Sequence, residues 1–223
     1  MKQNFRYALL IYFCSLLLLD LMVYIFNIDN RLLEVLSYII FPLLLIMITY
    51  LLKEDLKVKV FEKDKSSVKK TISVICMSFF MAFAGIKIIT LVKSFFGTPN
   101  EINTTNDINS SPFMIIPIVL LGPLVEELVF RRIILHVFSK KFNILRSIIL
   151  TSILFSSWHF SIVSFPHLFW ISIVFSYSYY LTNRLSVPII LHIIWNLSPF
   201  ILLKIWNLLH TLLFNFGLIV GNI

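Results

Sequence analysis

Charge is what this chain has least of. Only 13% of its 223 residues are Asp, Glu, Lys or Arg, where a soluble domain carries about 25%. With 59% of residues apolar, a water-soluble globule is excluded. Cysteine is nearly absent: Cys14 and Cys76 both fall inside apolar runs, so neither a disulfide framework nor a cysteine metal site is expected. There is no sustained alternation of apolar and polar residues, which argues against a closed barrel. No internal repeat, soluble domain, lipidation box or His-Glu-x-x-His motif is found. The first apolar run, from Tyr7 to Phe26, has no Ala-x-Ala-like exit and reads as a retained span instead of a cleaved signal.

What is present is a series of apolar blocks about 20 residues long, enough to cross roughly 30 Å of hydrocarbon. The chain therefore reads as one all-α, polytopic membrane domain over 1–223. Eight spans are predicted, at about 7–26, 32–52, 71–95, 112–138, 145–163, 165–182, 187–204 and 206–221. A polar segment, 97–112, precedes the fourth span.

The net charge of +8 does not point to nucleic acid. Lys53, Lys57, Lys59, Lys63, Lys65, Lys69 and Lys70 share one loop with Glu54, Asp55, Glu62 and Asp64, the mark of a cytoplasmic loop facing anionic lipid. With Lys2, Arg6, Lys140, Lys141, Arg146 and Arg184 the inner side holds 13 positive charges, against Arg31, Lys93 and Lys204 outside. Eight spans then place both termini in the cytoplasm.

Against this background Glu126 and Glu127 stand out, side by side in an apolar run and followed by Arg131. A carboxylate at the centre of a spanning helix costs about 2.5 kcal/mol or more on insertion scales, and intramembrane ionisable groups mark functional sites. Glu127 and Arg131, at i and i+4, share a helix face and are expected to pair. Glu126 lies about 140° from Arg131, which leaves it the freer carboxylate and the candidate general base. Gly122-Pro123 just upstream is expected to kink the helix.

Two further pairs follow at helical spacing, Phe155 with His159 and His192 with Asn196. Converging from three spans, these groups support two chemistries. Glu126 and His159 take a proton from water while His192 and Asn196 donate to an oxyanion; or Glu126, His159 and His192 ligate a divalent ion, such as zinc, that activates the water. Counted from the span ends, Glu126 falls at mid-membrane, His192 nearer the cytoplasm and His159 nearer the outside.

Glu-Glu-x-x-x-Arg, Phe-x-x-x-His and His-x-x-x-Asn, in that order on late spans, resemble the CAAX protease and bacteriocin-processing family, also called Abi. The resemblance covers roughly Ile115 to Phe200, with every motif position present. It implies an intramembrane endopeptidase of eight helices. In it Glu126 and His159 would activate water, His192 and Asn196 would stabilise the oxyanion, and Glu127, Arg131 and Phe155 would support them. The substrate would be a peptide or protein segment entering from the membrane or the cytoplasmic side.

Trp158 and Trp195, beside the two histidines, read as wall residues. His136, His167 and His210 fall near span ends and are set aside. A non-enzymatic bacteriocin-immunity or scaffold protein of the same fold is the alternative; a cation transporter would show inverted repeats. Lysine outnumbers arginine 13 to 6, which fits an AT-rich bacterial host. For such a host, maturation of bacteriocin-like peptides or self-immunity, at the cytoplasmic membrane, is the expected role.

Overall fold

A computed structural model describes residues 3–28, 30–57, 60–61, 66–96 and 115–220. The segment 97–112, Lys2, and Lys59, Lys63 and Lys65 of the lysine-rich loop lie outside these. The described residues are helical throughout, without strands: α1 Gln3–Phe26, α2 Asn30–Leu51, α3 Val68–Phe95, α4 spanning 115–139, α5 Ile144–Trp158, α6 Phe165–Thr182 and α7 Ser186–Val220. Gln3–Phe26, Val68–Phe95 and Ser186–Thr211 are each long and apolar enough to cross a bilayer. Their surfaces carry Tyr24, Leu91, Phe95 and Trp206 outward, as a lipid solvent allows and water does not. The protein is a polytopic helical membrane protein.

Among the described residues there are seven helices where eight spans were expected. The break predicted near 204–206 is absent, and one helix runs unbroken from Ser186 to Val220 with Pro199 inside it. Lys204 and Asn207 suggested a turn, but both are exposed on the helix surface. A lysine there extends its stem to reach polar surroundings without ending the helix. The even count was also the reason for placing both termini on one side.

Helix α4 is the axis of the bundle. All eight residues from Leu128 to Leu135 are buried. One side of α4 packs with Phe5, Ala8 and Tyr12 of α1, Leu44 and Ile48 of α2, and Leu52 just beyond it. A second cluster joins Ala82 of α3, Ile171, Val174 and Phe175 of α6, and Val187 and Leu191 of α7. Helices α5 and α6 pack closely and bury small polar residues: Ser147, Thr151, Ser152 and Ser156 on α5 and Ser172, Ser176, Ser178 and Thr182 on α6 are all fully buried. Lipid drives no hydrophobic association, so close backbone approach through small residues does that work.

Ends are fixed locally. The Asn143 side chain caps α5 by accepting from the Arg146 amide at 2.9 Å, and Ser67 caps α3. Arg184 donates from Nε and Nη2 to the Ser66 carbonyl at 3.1 and 2.8 Å, tying the entry of α3 to the α6–α7 turn.

Gly85 of α3 carries the tightest approach. A Cβ there would lie 1.9 Å from Trp170 Nε1, and that indole donates to the Met81 carbonyl at 3.1 Å. Gly85→Ala is therefore expected to expel the ring and destabilise the protein by about 1–3 kcal/mol. A thermal melt in detergent checks this, with Trp170→Leu in the same background recovering part of the loss. An unchanged melt for Gly85→Ala alone would mean that the ring relocates freely.

Candidate active site

The backbone around the two glutamates departs from an ordinary α-helix. Pro117–Leu121 and Leu128–Leu135 are wound as π-helix, and only Gly122–Glu127 between them is α-helical. The expected kink at Pro123 thus takes the form of wider turns, a recurrent feature of functional sites. The local cause is legible. The Gly122 amide donates five residues back to Pro117, and Pro123 has no amide. Neither position supplies a donor to the Ile118 carbonyl. Asn196 of α7 does so instead, its Nδ2 lying 3.0 Å from that oxygen.

Glu127 is fully buried and is the hub of the site. Its Oε2 lies 3.0 Å from Arg131 Nε, also fully buried, so the pairing expected from i, i+4 spacing is present. Its Oε1 lies 2.9 Å from His192 Nδ1. Arg131 also donates from Nη2 to Ser172 Oγ at 3.3 Å, and its guanidinium sits 4.9 Å from the Phe155 ring centroid and 6.0 Å from that of Phe175. A buried cation is thus held by one carboxylate, one hydroxyl and two aromatic faces.

Glu126 points elsewhere, with its side chain 20% exposed and its Oε2 3.8 Å from His192 Nε2. That oxygen is itself buried and makes no hydrogen bond to the protein. The split foreseen from the helical wheel is therefore the split observed: one glutamate bound to Arg131, the other open.

The histidines are oriented by their Nδ1 atoms. A carboxylate accepts, so His192 Nδ1 carries the hydrogen that meets Glu127. His159, the residue that caps α5, sets Nδ1 2.8 Å from the Phe155 carbonyl. A carbonyl also only accepts, so His159 donates from Nδ1 and keeps its Nε2 lone pair. Phe155 joins the two, with ring centroids 4.8 Å from His159 and 6.1 Å from His192. The spread in depth counted along the spans is bridged by this ring. Phe160, in the left-handed region at φ 49°, turns the chain away after His159, and Lys93 of α3 holds the following loop through the Val163 carbonyl.

Among the described residues, no three His, Cys, Asp or Glu side chains lie close enough to share an ion. Glu126, His159 and His192 as placed here do not form a three-ligand cradle, and no chemical step below is routed through a metal.

Some residues at the site have no counterpart in the sequence reading. Ser172 and Phe175 hold Arg131 from α6. Tyr12, on α1, is 1% exposed and packs against Phe130 of α4 and Trp158 of α5, with ring centroids 6.2 and 5.9 Å away. Nothing about a lone tyrosine in an apolar run signals this. His136, set aside near a span end, lies in the last turn of α4 and is buried against Phe5 at a centroid distance of 5.8 Å.

The chain is similar in sequence to known membrane proteases. The Rce1-like family, described as type II CAAX prenyl endopeptidase Rce1-like, matches residues 108–198. The membrane-embedded CAAX protease MroQ of Staphylococcus aureus (strain USA300) is 31% identical over 177 residues, covering 71% of this chain and 70% of that protein. The putative membrane peptidase YdiL of Bacillus subtilis (strain 168) is 27% identical over 165 residues, covering 72% and 68%. No solved structure matches the chain at a significant level.

Proposed function

The chain belongs to the Rce1-like, type II CAAX protease family and is a membrane protease; on that premise we propose that it is an endopeptidase that activates water with Glu126 and His159. The observation that carries this reading is Glu126 Oε2, a buried acceptor at mid-helix with no hydrogen bond to the protein, beside the Glu127–Arg131–His192 cluster.

Glu126 takes a proton from a water as that water attacks the scissile carbonyl, and later returns it to the leaving amine. His159 presents the Nε2 lone pair to the same water. His192, with protons on both nitrogens, has Glu127 on one side and faces Glu126 on the other, and donates from Nε2 to the developing oxyanion. Asn196 spends one amide hydrogen on Ile118 and offers the second. Arg131 keeps Glu127 ionised, and Glu127 keeps the His192 ring in place.

The substrate is proposed to be a peptide or membrane-associated protein segment. It would enter from the membrane or cytoplasmic side of a bacterial cytoplasmic membrane, and the role would be maturation of bacteriocin-like peptides or self-immunity. Scarce intramembrane charge, an AT-rich style of composition and two bacterial relatives support this setting.

The test is cleavage of a quenched peptide library by the purified chain in lipid nanodiscs, beside His159→Ala and His192→Ala. Each histidine variant is expected to lose about 10²–10⁴-fold in rate, the usual contribution of a positioned proton-transfer or donor group. A zinc-reversible loss on chelation would assign Glu126, His159 and His192 to a metal instead. Histidine variants as fast as the wild type would remove both from the mechanism.

A further inference from the structure

Each donor side chain of the site described so far already engages at least one acceptor. His192 Nδ1 meets Glu127, His159 Nδ1 meets the Phe155 carbonyl, Asn196 Nδ2 meets the Ile118 carbonyl, and Arg131 is divided between Glu127 and Ser172. Tyr12 is different. Its ring is 1% exposed, set in an aromatic cage with centroids 5.0 Å from Phe13, 5.9 Å from Trp158 and 6.2 Å from Phe130. The group beside its hydroxyl is the Trp158 indole, which only donates. The phenol oxygen is thus on the receiving side of that neighbour, while its own hydrogen has no acceptor in the protein.

A buried hydroxyl without an acceptor costs free energy that phenylalanine would not. Two rings of the Tyr12 cage belong to the elements that carry the site: Phe130 follows Glu126 by four residues on α4 and lies 5.0 Å from Phe155, and Trp158 immediately precedes His159. Glu127 is held in ion pairs with Arg131 and His192 at 3.0 and 2.9 Å, whereas Glu126 Oε2 lies 3.8 Å from His192 Nε2 and has no hydrogen-bond donor in the protein. The free hydrogen of Tyr12 therefore lies on the side of the site where Glu126 works.

We propose that Tyr12 is a catalytic residue: its O–H donates to the oxyanion that forms when water, losing its proton to Glu126, adds to the scissile carbonyl. In that step the new C–O bond forms, the carbonyl π electrons move to oxygen, and Tyr12 meets the resulting charge by a hydrogen bond without giving up its proton. On collapse the C–N bond breaks and the amine takes the proton held by Glu126. Apolar walls around the phenol make such a donor strong, because no water competes for it. Helix α1, outside the three motifs, thereby becomes part of the catalytic machinery.

This rests on the peptidase reading, and the experiment keeps the two apart. Wild type, Glu126→Gln, Tyr12→Phe and Phe13→Leu are compared in nanodiscs on the library peptide that the wild type cleaves fastest, with melts recorded for each. Tyr12→Phe is expected to lose about 10²–10³-fold in kcat at the plateau of the pH profile, as for other single oxyanion donors. KM and the melt should stay unchanged, and a peptide phosphinate, which mimics the tetrahedral species, should bind correspondingly weaker. Phe13→Leu disturbs the same cage without touching the hydroxyl, and is expected to keep its kcat even where its melt falls. Full activity in Tyr12→Phe would overturn the proposal. So would an unchanged plateau with only the acidic limb displaced, since Tyr12 would then act on Glu126 alone. If the wild type cleaves nothing, the peptidase reading fails first.

Discussion

Glu126→Gln is expected to reduce peptide cleavage by about 10³-fold or more while leaving the melting temperature where it is. The substitution exchanges one oxygen for an amide nitrogen of nearly the same size, so packing is retained. It removes the carboxylate proposed to take a proton from water and return it to an amine, a role contributing about 10²–10⁴-fold on its own and more when coupled to oxyanion donors. Stability should not follow activity, because Glu126 Oε2 makes no hydrogen bond to the protein. Glu127→Gln should behave otherwise. That side chain is fully buried and holds both Arg131 and His192, so activity and melt should fall together. Rate measurements and melts on the two variants, side by side, separate base from scaffold. A Glu126→Gln protein that still cleaves at more than about a tenth of the wild-type rate would end Glu126's candidacy as the base.

Arg131→Leu carries the largest expected effect on stability. The guanidinium is fully buried on Glu127 and stacked near Phe155 and Phe175. Removing one member of a buried ion pair strands the other and typically costs about 3–5 kcal/mol, a large share of a marginal folding free energy. The variant is expected to accumulate poorly and to melt far below the wild type. Adding Glu127→Gln removes the stranded charge and should restore much of the fold, because replacing both partners of a buried pair is often tolerated. Activity should not return, since His192 then lacks the carboxylate that orients it. Expression level and melts of the single and double variants test this; equal melts for Arg131→Leu and the wild type would show that the pair contributes nothing to the fold.

What the sequence made legible was local. Helical spacing alone separates Glu126 from Glu127 and pairs the latter with Arg131, because four residues fix a shared face whatever the rest of the chain does. The helical class was equally plain, since apolar composition acts over every span at once. The meeting of His192 with both glutamates crosses 65 residues; only the ordered motifs, not any local rule, pointed to it. The π-helical turns around Gly122–Glu127 could be read only as a kink, because proline specifies which hydrogen bond is lost but not how neighbouring turns absorb it. Tyr12 was invisible, an ordinary residue whose importance comes from what α1 packs against. The helix break expected near residue 204 failed for a related reason: polarity at Lys204 and Asn207 marks a turn in water, but in this bundle it marks an outward face.

The unbroken α7 has a mechanical consequence. Its apolar stretch, Ser186–Thr211, is 26 residues, about 39 Å of rod for roughly 30 Å of hydrocarbon. A rigid rod that is too long leans, and His192 and Asn196 ride on it near one end. The angle of that lean sets how His192 meets Glu126 and how Asn196 meets Ile118. Bilayer thickness is thereby a coordinate of the active site, as much as any bond distance within it.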